Sequence, residues 1–237
     1  MAIIFEQLLS VAFVPEIWKT AVITPVHKKD LLIHCQITGL FLLLVFHASS
    51  WRGSSLVRYM TILHIIILLA VTNIVLFVVS LHVQTSLESL YDWTSYTGDG
   101  CHTSIIYIDF SKAFDVVQHD KLFVKLKAYG VGGTLLQWIM NLFACRTIQT
   151  RINDLLSDVC SLLCGVIQGS VIEPLMFLVY INDLVELLAS FNIKVKLFAD
   201  DVKLYVKIVN ITDSSALQKA LSAIVAWADE WQLSISI

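Results

Sequence analysis

The chain has 237 residues, of which 57% are hydrophobic and 15% charged, against about 45–50% and about 25% in ordinary soluble domains. That excludes a disordered chain, and the length allows one or two domains with a core large enough to need no disulfide or structural metal. Lys plus Arg is 16 and Asp plus Glu is 19, a net charge of −3, so there is no bulk basic footprint for nucleic acid and any phosphate binding must be local. The five cysteines, Cys35, Cys101, Cys145, Cys160 and Cys164, are odd in number and scattered, which fits reduced thiols better than a secreted disulfide framework.

The N-terminal strip, residues 1–30, does not read as a signal peptide: Glu6 interrupts its apolar run and no basic residue precedes it. The apolar excess is concentrated in 31–87, where Arg52 and Arg58 are the only Asp, Glu, Lys or Arg residues. Within it, Met60–Val83 exceeds the roughly 20 apolar residues that cross a bilayer as a helix and is a transmembrane candidate. Leu31–Ala48 is diluted by His34, Gln36, Thr38 and Gly39, so an interfacial or re-entrant segment fits it as well. A buried core helix or strand pair remains the alternative for both. Outside 31–87, 33 of the other 180 residues are charged, which leaves residues 88–237 as a charge-poor globular domain.

In that domain SIIYID (Ser104–Asp109) reads as a buried strand ending in a carboxylate. Lys121–Tyr129 and Leu135–Phe143 carry apolar residues at helical spacing on either side of the breaker Gly130–Gly133. Val171–Leu188 reads as one long, mostly buried helix, with Pro174 tolerated in its first turn. In Lys194–Ile208, apolar residues alternate with lysines on both sides of Ala199, Asp200 and Asp201. Period two on both arms predicts a β-hairpin with two adjacent carboxylates at its tip. Asp213 or Ser214 then caps a helix whose Leu217, Leu221, Ile224, Val225, Ala228 and Trp231 share a face. This order predicts an α+β domain, a small antiparallel sheet with helices on one face.

Two bare carboxylates at a turn repel and raise one pKa unless something compensates them, and a divalent cation is the usual compensation. A solvated turn would show the same residues. If Asp109 lies beside the tip, three carboxylates form an oxygen-rich environment suited to Mg²⁺ and substrate phosphates. Cys160 and Cys164 have no further ligands nearby, so no zinc site is expected there.

YIDFSKAFD (Tyr107–Asp115), GVIQGSVIEPLMF (Gly165–Phe177), YINDL (Tyr180–Leu184) and FADD (Phe198–Asp201) resemble, in order and spacing, the palm motifs of reverse transcriptases, most closely those of non-LTR retrotransposons. Val14–Lys29, Lys125–Arg146 and the terminal WADEWQLSISI are similar to flanking segments of such elements. The resemblance implies a right-hand polymerase palm that copies an RNA template onto a DNA primer from deoxynucleoside triphosphates, with no obligate protein partner. It implies two Mg²⁺ ions, or Mn²⁺ in their place, held by Asp109, Asp200 and Asp201. It further implies a nucleotide site at Phe110, Ala113, Phe114 and Gln168, Phe114 standing against the ribose 2′-hydroxyl, and template or primer contacts at Gly169, Ser170 and Arg146. The nucleus or cytoplasm is the implied location, or a membrane through 60–83.

The chain departs from the family pattern at Ile167, where proline is usual, and at Glu173, where glycine is usual. The apolar segment 31–87 stands where the fingers are expected, leaving Lys28, Lys29 and Asp30 of that region. The chain stops before the family's palm-end lysine and before a thumb, and has no endonuclease or zinc-knuckle segment. These departures predict weak or no polymerase activity, and they sustain a second reading, a non-catalytic membrane-associated retroelement relic.

Overall fold

A computed structural model describes residues 7–25, 84–170 and 172–236. The expected membrane segments 31–48 and 60–83, with Lys28, Lys29, Asp30 and Cys35, lie outside the described residues. Among the described residues no helix is long and apolar enough to cross a membrane.

In chain order the elements are a 3₁₀ turn Glu16–Trp18, β1 Thr20–Ile23, helix α1 over 84–98, β2 His102–Ile108, α2 His119–Ala128, α3 Gly133–Phe143, β3 Thr147–Ile152, β4 Leu155–Leu156 and β5 Cys160–Ser161. They continue as α4 Glu173–Ile181, α5 Asp183–Ala189, β6 Lys194–Phe198, β7 Asp201–Ile208 and α6 Ile211–Trp231. They divide into two compact units, 7–25 with 118–176 and 84–117 with 177–236.

In the first unit β1 pairs in parallel with β3, Thr20 opposite Thr147, while β4 and β5 pair antiparallel with β3. Helices α2 and α3 occupy the two predicted segments, and Gly130 between them takes φ +83°, a conformation open to glycine at little cost. Leu122, Phe123 and Leu126 of α2 are buried, as are Leu136, Ile139, Leu142 and Phe143 of α3. The His119 ring packs edge-on against Phe143 at 4.9 Å.

The second unit is built on the sheet β2-β7-β6, fully antiparallel. The predicted hairpin forms, with Phe198 opposite Asp201, so the tip is Ala199–Asp200 and Asp201 is the first residue of β7. Val202 and Leu204 are buried on the face that includes Ile108, and Phe110 beyond β2 packs on Trp227 of α6, ring centroids 6.2 Å apart. The opposite, odd-numbered face carries Lys203, Tyr205 and Lys207, and there the sheet departs from the expected single layer of helices. Helix α1 lies against it: Trp93 meets Tyr205 edge-on at 5.8 Å, the Tyr205 hydroxyl donates to Asp92 Oδ2 (2.7 Å), and Lys207 pairs with Asp99 (2.6 Å). Lys196 on β6 pairs with Glu88.

Two helix expectations change. The predicted helix Val171–Leu188 divides into α4 and α5 at Asn182, whose N–H still donates to Leu178 O while the Val185 N–H reaches back only to Asn182 O. The last helix is capped by Asn210 rather than Asp213 or Ser214. The Asn210 side chain accepts from the Thr212 N–H, and Asp213 closes the capping box by accepting from the Asn210 N–H. Its buried stripe is Leu217, Ala220, Ile224, Trp227 and Ala228, leaving Val225 49% exposed.

Candidate active site

Asp109 follows directly on β2, whose last paired residue Ile108 faces Val202. Asp201 directly precedes Val202, so the two carboxylates are next in line across the strand pair, where opposed Cβ atoms lie about 5 Å apart. Asp200 sits beside them on the tip. The turn that carries it puts Ala199 at φ +52°, a left-handed conformation that costs a residue with a Cβ roughly 1 kcal/mol.

The electrostatics join the three residues. Burial pushes the Asp200 carboxyl above its ordinary value, and repulsion from Asp201 and from Asp109 adds to the shift. Among the described residues none of the three has an ion-pair partner. The nearest lysine along the strand, Lys203, is drawn instead between two rings, 5.5 Å from Trp93 and 5.3 Å from Tyr107. Oxygen donors alone suit Mg²⁺ or Mn²⁺ by hardness. Among the described residues no three His, Cys, Asp or Glu side chains are close enough as they stand to enclose an ion. The donor type therefore fits these cations.

After Asp109 the chain makes a tight turn in which Lys112 has φ +50° and its carbonyl accepts from the N–H groups of Asp115 and Val116. No acceptor for the N–H groups of Lys112, Ala113 and Phe114 is found among the described residues. Ala113 is buried, and the half-buried Phe114 ring stacks on Phe177 at 4.2 Å. The Phe110 side chain is 2% exposed, held in the core by Trp227.

The remaining expected residues belong to the other compact unit. Gln168 and Gly169 are exposed on the loop before α4, Gly169 at φ +74°. Ser170 is buried and its hydroxyl donates to Ile167 O, so it is spent within its own loop rather than on a template. Arg146 is corrected likewise. It is 3% exposed, and its guanidinium donates to Trp18 O (3.1 Å) and Leu142 O (3.2 Å), tying β1 to the end of α3. Glu173, where glycine is usual in the family, accepts from the Gly169 N–H at the start of α4, where a helix N-terminus favours negative charge. His119, which the sequence reading passed over, bonds the Gly165 carbonyl through Nε2 at 2.8 Å. Its burial holds the imidazole pKa below the ordinary value, against the raising effect of that bond. The signal that could have found it is its place just before a predicted helix in an otherwise apolar neighbourhood.

An antiparallel hairpin that presents two acids beside a third at a strand end, within a mixed α+β domain of small sheets, defines a palm-like class of fold. The family model described as reverse transcriptase (RNA-dependent DNA polymerase) matches residues 48–237, and the chain belongs to that family, in its non-LTR retrotransposon branch. It is 32% identical over 138 residues to an RNA-directed DNA polymerase from mobile element jockey of Drosophila funebris, covering 55% of this chain and 15% of that protein. The Drosophila melanogaster jockey polymerase is 25% identical over 255 aligned positions, covering 100% of this chain and 26% of its own length. A probable RNA-directed DNA polymerase from transposon BS of the same fly is 28% identical over 148 residues, 57% of this chain and 16% of that protein. The chain thus spans about a quarter or less of the length of these relatives. The matched region begins at residue 48, inside the apolar stretch.

Proposed function

We propose that the chain carries the palm of a polymerase that adds deoxynucleotides to a DNA primer on an RNA template, with the fingers reduced by the apolar segment 31–87 and activity correspondingly weak. Asp109, Asp200 and Asp201 would hold the divalent cations, Mg²⁺ or Mn²⁺. Such cations, when bound, supply activation of the attacking hydroxyl and stabilisation of the leaving pyrophosphate. The observation that carries the reading is the electrostatic one: Asp200 is burdened by burial and by both neighbouring acids, with no cation among the described residues paired to it. Such an arrangement gives up stability unless a cation is part of its use.

The chain's own groups supply the rest. The N–H groups of Lys112, Ala113 and Phe114, without an acceptor among the described residues, can donate to triphosphate oxygens, as successive amides in a tight turn do. Phe114, braced by Phe177, presents an aromatic wall to the sugar, which favours a substrate without a 2′-hydroxyl. The alternative of a membrane-associated relic gains nothing from the described residues.

The test is extension of a DNA primer on an RNA template by the purified chain with Mg²⁺. Weak extension above background is expected, and Asp200→Asn should lower it by about 100-fold or more, as removal of a preorganised catalytic charge does. Extension that survives the substitution, or none from the unmodified chain, would overturn the proposal.

A further inference from the structure

Beyond the end of α6 the chain turns back on itself and runs along the free edge of β2. Gln232 takes the left-handed conformation at φ +58° that ends the helix, Leu233 is buried, and its N–H donates to Ala228 O. The Trp231 carbonyl, at the root of this reversal, accepts from the hydroxyl of Tyr180 at 2.5 Å, and Tyr180 is fully buried. The course of the next residues is therefore set from two sides.

Those residues then pair with the segment bearing Asp109. The Ser236 N–H donates to Asp109 O and the Ser111 N–H to Ser234 O, each at 2.8 Å, bracketing an antiparallel bridge between Phe110 and Ile235. The Ser111 and Ser236 hydroxyls meet at 2.9 Å. β2 itself ends at Ile108, so its pairing with β7 leaves the backbone of 109–111 without support from that side. Support comes from the opposite edge.

We infer that residues 233–236 form a positioning strand, which fixes the carbonyl of Asp109 and the amide of Ser111 and so aims the Asp109 carboxylate at Asp200 and Asp201. The strand touches no substrate. It acts through Asp109, and the inference rests on the reading of Asp109 as a cation-holding residue. Fixing Ser111 also fixes the entry to the turn whose three N–H groups are unpartnered, so one short strand would set both halves of the nucleotide site. Tyr180, from the YINDL segment, belongs to the same device because it anchors the strand's root.

Ser236→Pro in the full chain removes the N–H that Asp109 O accepts, at an exposed position and without disturbing the extended backbone before it. Ser236→Ala removes only the hydroxyl. Amide exchange at Ser111 should quicken about five- to tenfold in Ser236→Pro, the effect of losing one hydrogen bond. Mg²⁺ affinity, read by titration of the full chain with the metal alone, should then fall about five- to tenfold in Ser236→Pro, because Asp109 is no longer held beside Asp200 and Asp201. Ser236→Ala should match the unmodified chain in both respects. Tyr180→Phe, which frees the strand's root, should move both readouts in the direction of the proline variant but less far. Should Ser236→Pro keep native circular dichroism with both readouts unchanged, the strand does not position Asp109. Mg²⁺ titration of the unmodified chain and of Asp109→Asn separates the two ideas. Equal, negligible binding by both would remove the cation reading, while amide exchange at Ser111 still decides the strand.

Discussion

Two sets of acids sit on one sheet under opposite conditions. Beneath α1, Glu88, Asp92 and Asp99 each reach a partner on a strand, respectively Lys196, the Tyr205 hydroxyl and Lys207. At the hairpin end, Asp109, Asp200 and Asp201 face one another with no cation from the described residues. Each place holds three carboxylates. Compensation is what differs, and it separates acids with a partner on a strand from acids that have none among the described residues.

The comparison breaks most easily at Tyr205. Its phenol is buried, and burial first, then the bond to Asp92, raises its pKa above the ordinary value of 10.0, so the hydroxyl remains a donor at any physiological pH. Tyr205→Phe should leave Asp92 without its donor and cost about 1.5 kcal/mol or more, as hydrogen bonds to charged groups do, or a Tm lower by about 4 °C. A melting scan checks this. A variant as stable as the parent would mean that the Tyr205–Asp92 bond contributes nothing to holding α1.

That the hairpin could be read from sequence and the α1 layer could not has a physical reason. Period two in Lys194–Ile208 is a local pattern, complete within fifteen residues, and it located the tip to within one position. The partners of α1 lie 108 to 113 residues away, and an acid that answers a distant lysine looks the same as any solvated acid. So the boundary drawn at residue 88 falls inside a helix that begins by residue 84. Strand β3, TIQTRI, escaped for a similar reason: with two apolar residues in six it gains its place by pairing with Thr20–Ile23 over a separation of 127 residues. Arg146 looked like a phosphate ligand because sequence shows its charge and hides the two carbonyls that consume it. Asp109, Asp200 and Asp201 stand out in the sequence because motif and period agree on them.

A second prediction concerns the uncompensated set. The folded-state pKa of Asp200 lies above its ordinary 3.8, with burial the main cause and its two acidic neighbours secondary. The folded chain therefore holds that proton more tightly than the unfolded chain, and the stability this confers at low pH is lost as pH rises through the folded value. At pH 7 the charged side chain detracts from stability. Asp200→Asn should accordingly raise Tm at pH 7, by no more than about 2 °C because the group is partly exposed to solvent. The gain should vanish below about pH 3.8, where both states are protonated. A lower Tm on substitution would mean that Asp200 already has a stabilising partner.

The same change of acid to amide in the compensated set should have the opposite sign. Glu88 is held below its ordinary 4.5 chiefly by its hydrogen bond with Lys196, then by that with Gln84. Its contribution is present above the unfolded value and is lost as pH falls through the lower folded one. Glu88→Gln should therefore lower Tm at pH 7. The drop should stay within about 1 °C, since exposed pairs contribute little, and it should disappear near 1 M salt, where the screening length shrinks to about 3 Å. Melting curves of Asp200→Asn and Glu88→Gln in one buffer series read both signs together. Opposite signs at low salt would locate the difference between the two ends of the sheet in compensation. Matching signs would locate it elsewhere, because solvent exposure alone cannot make one carboxylate cost stability and another confer it.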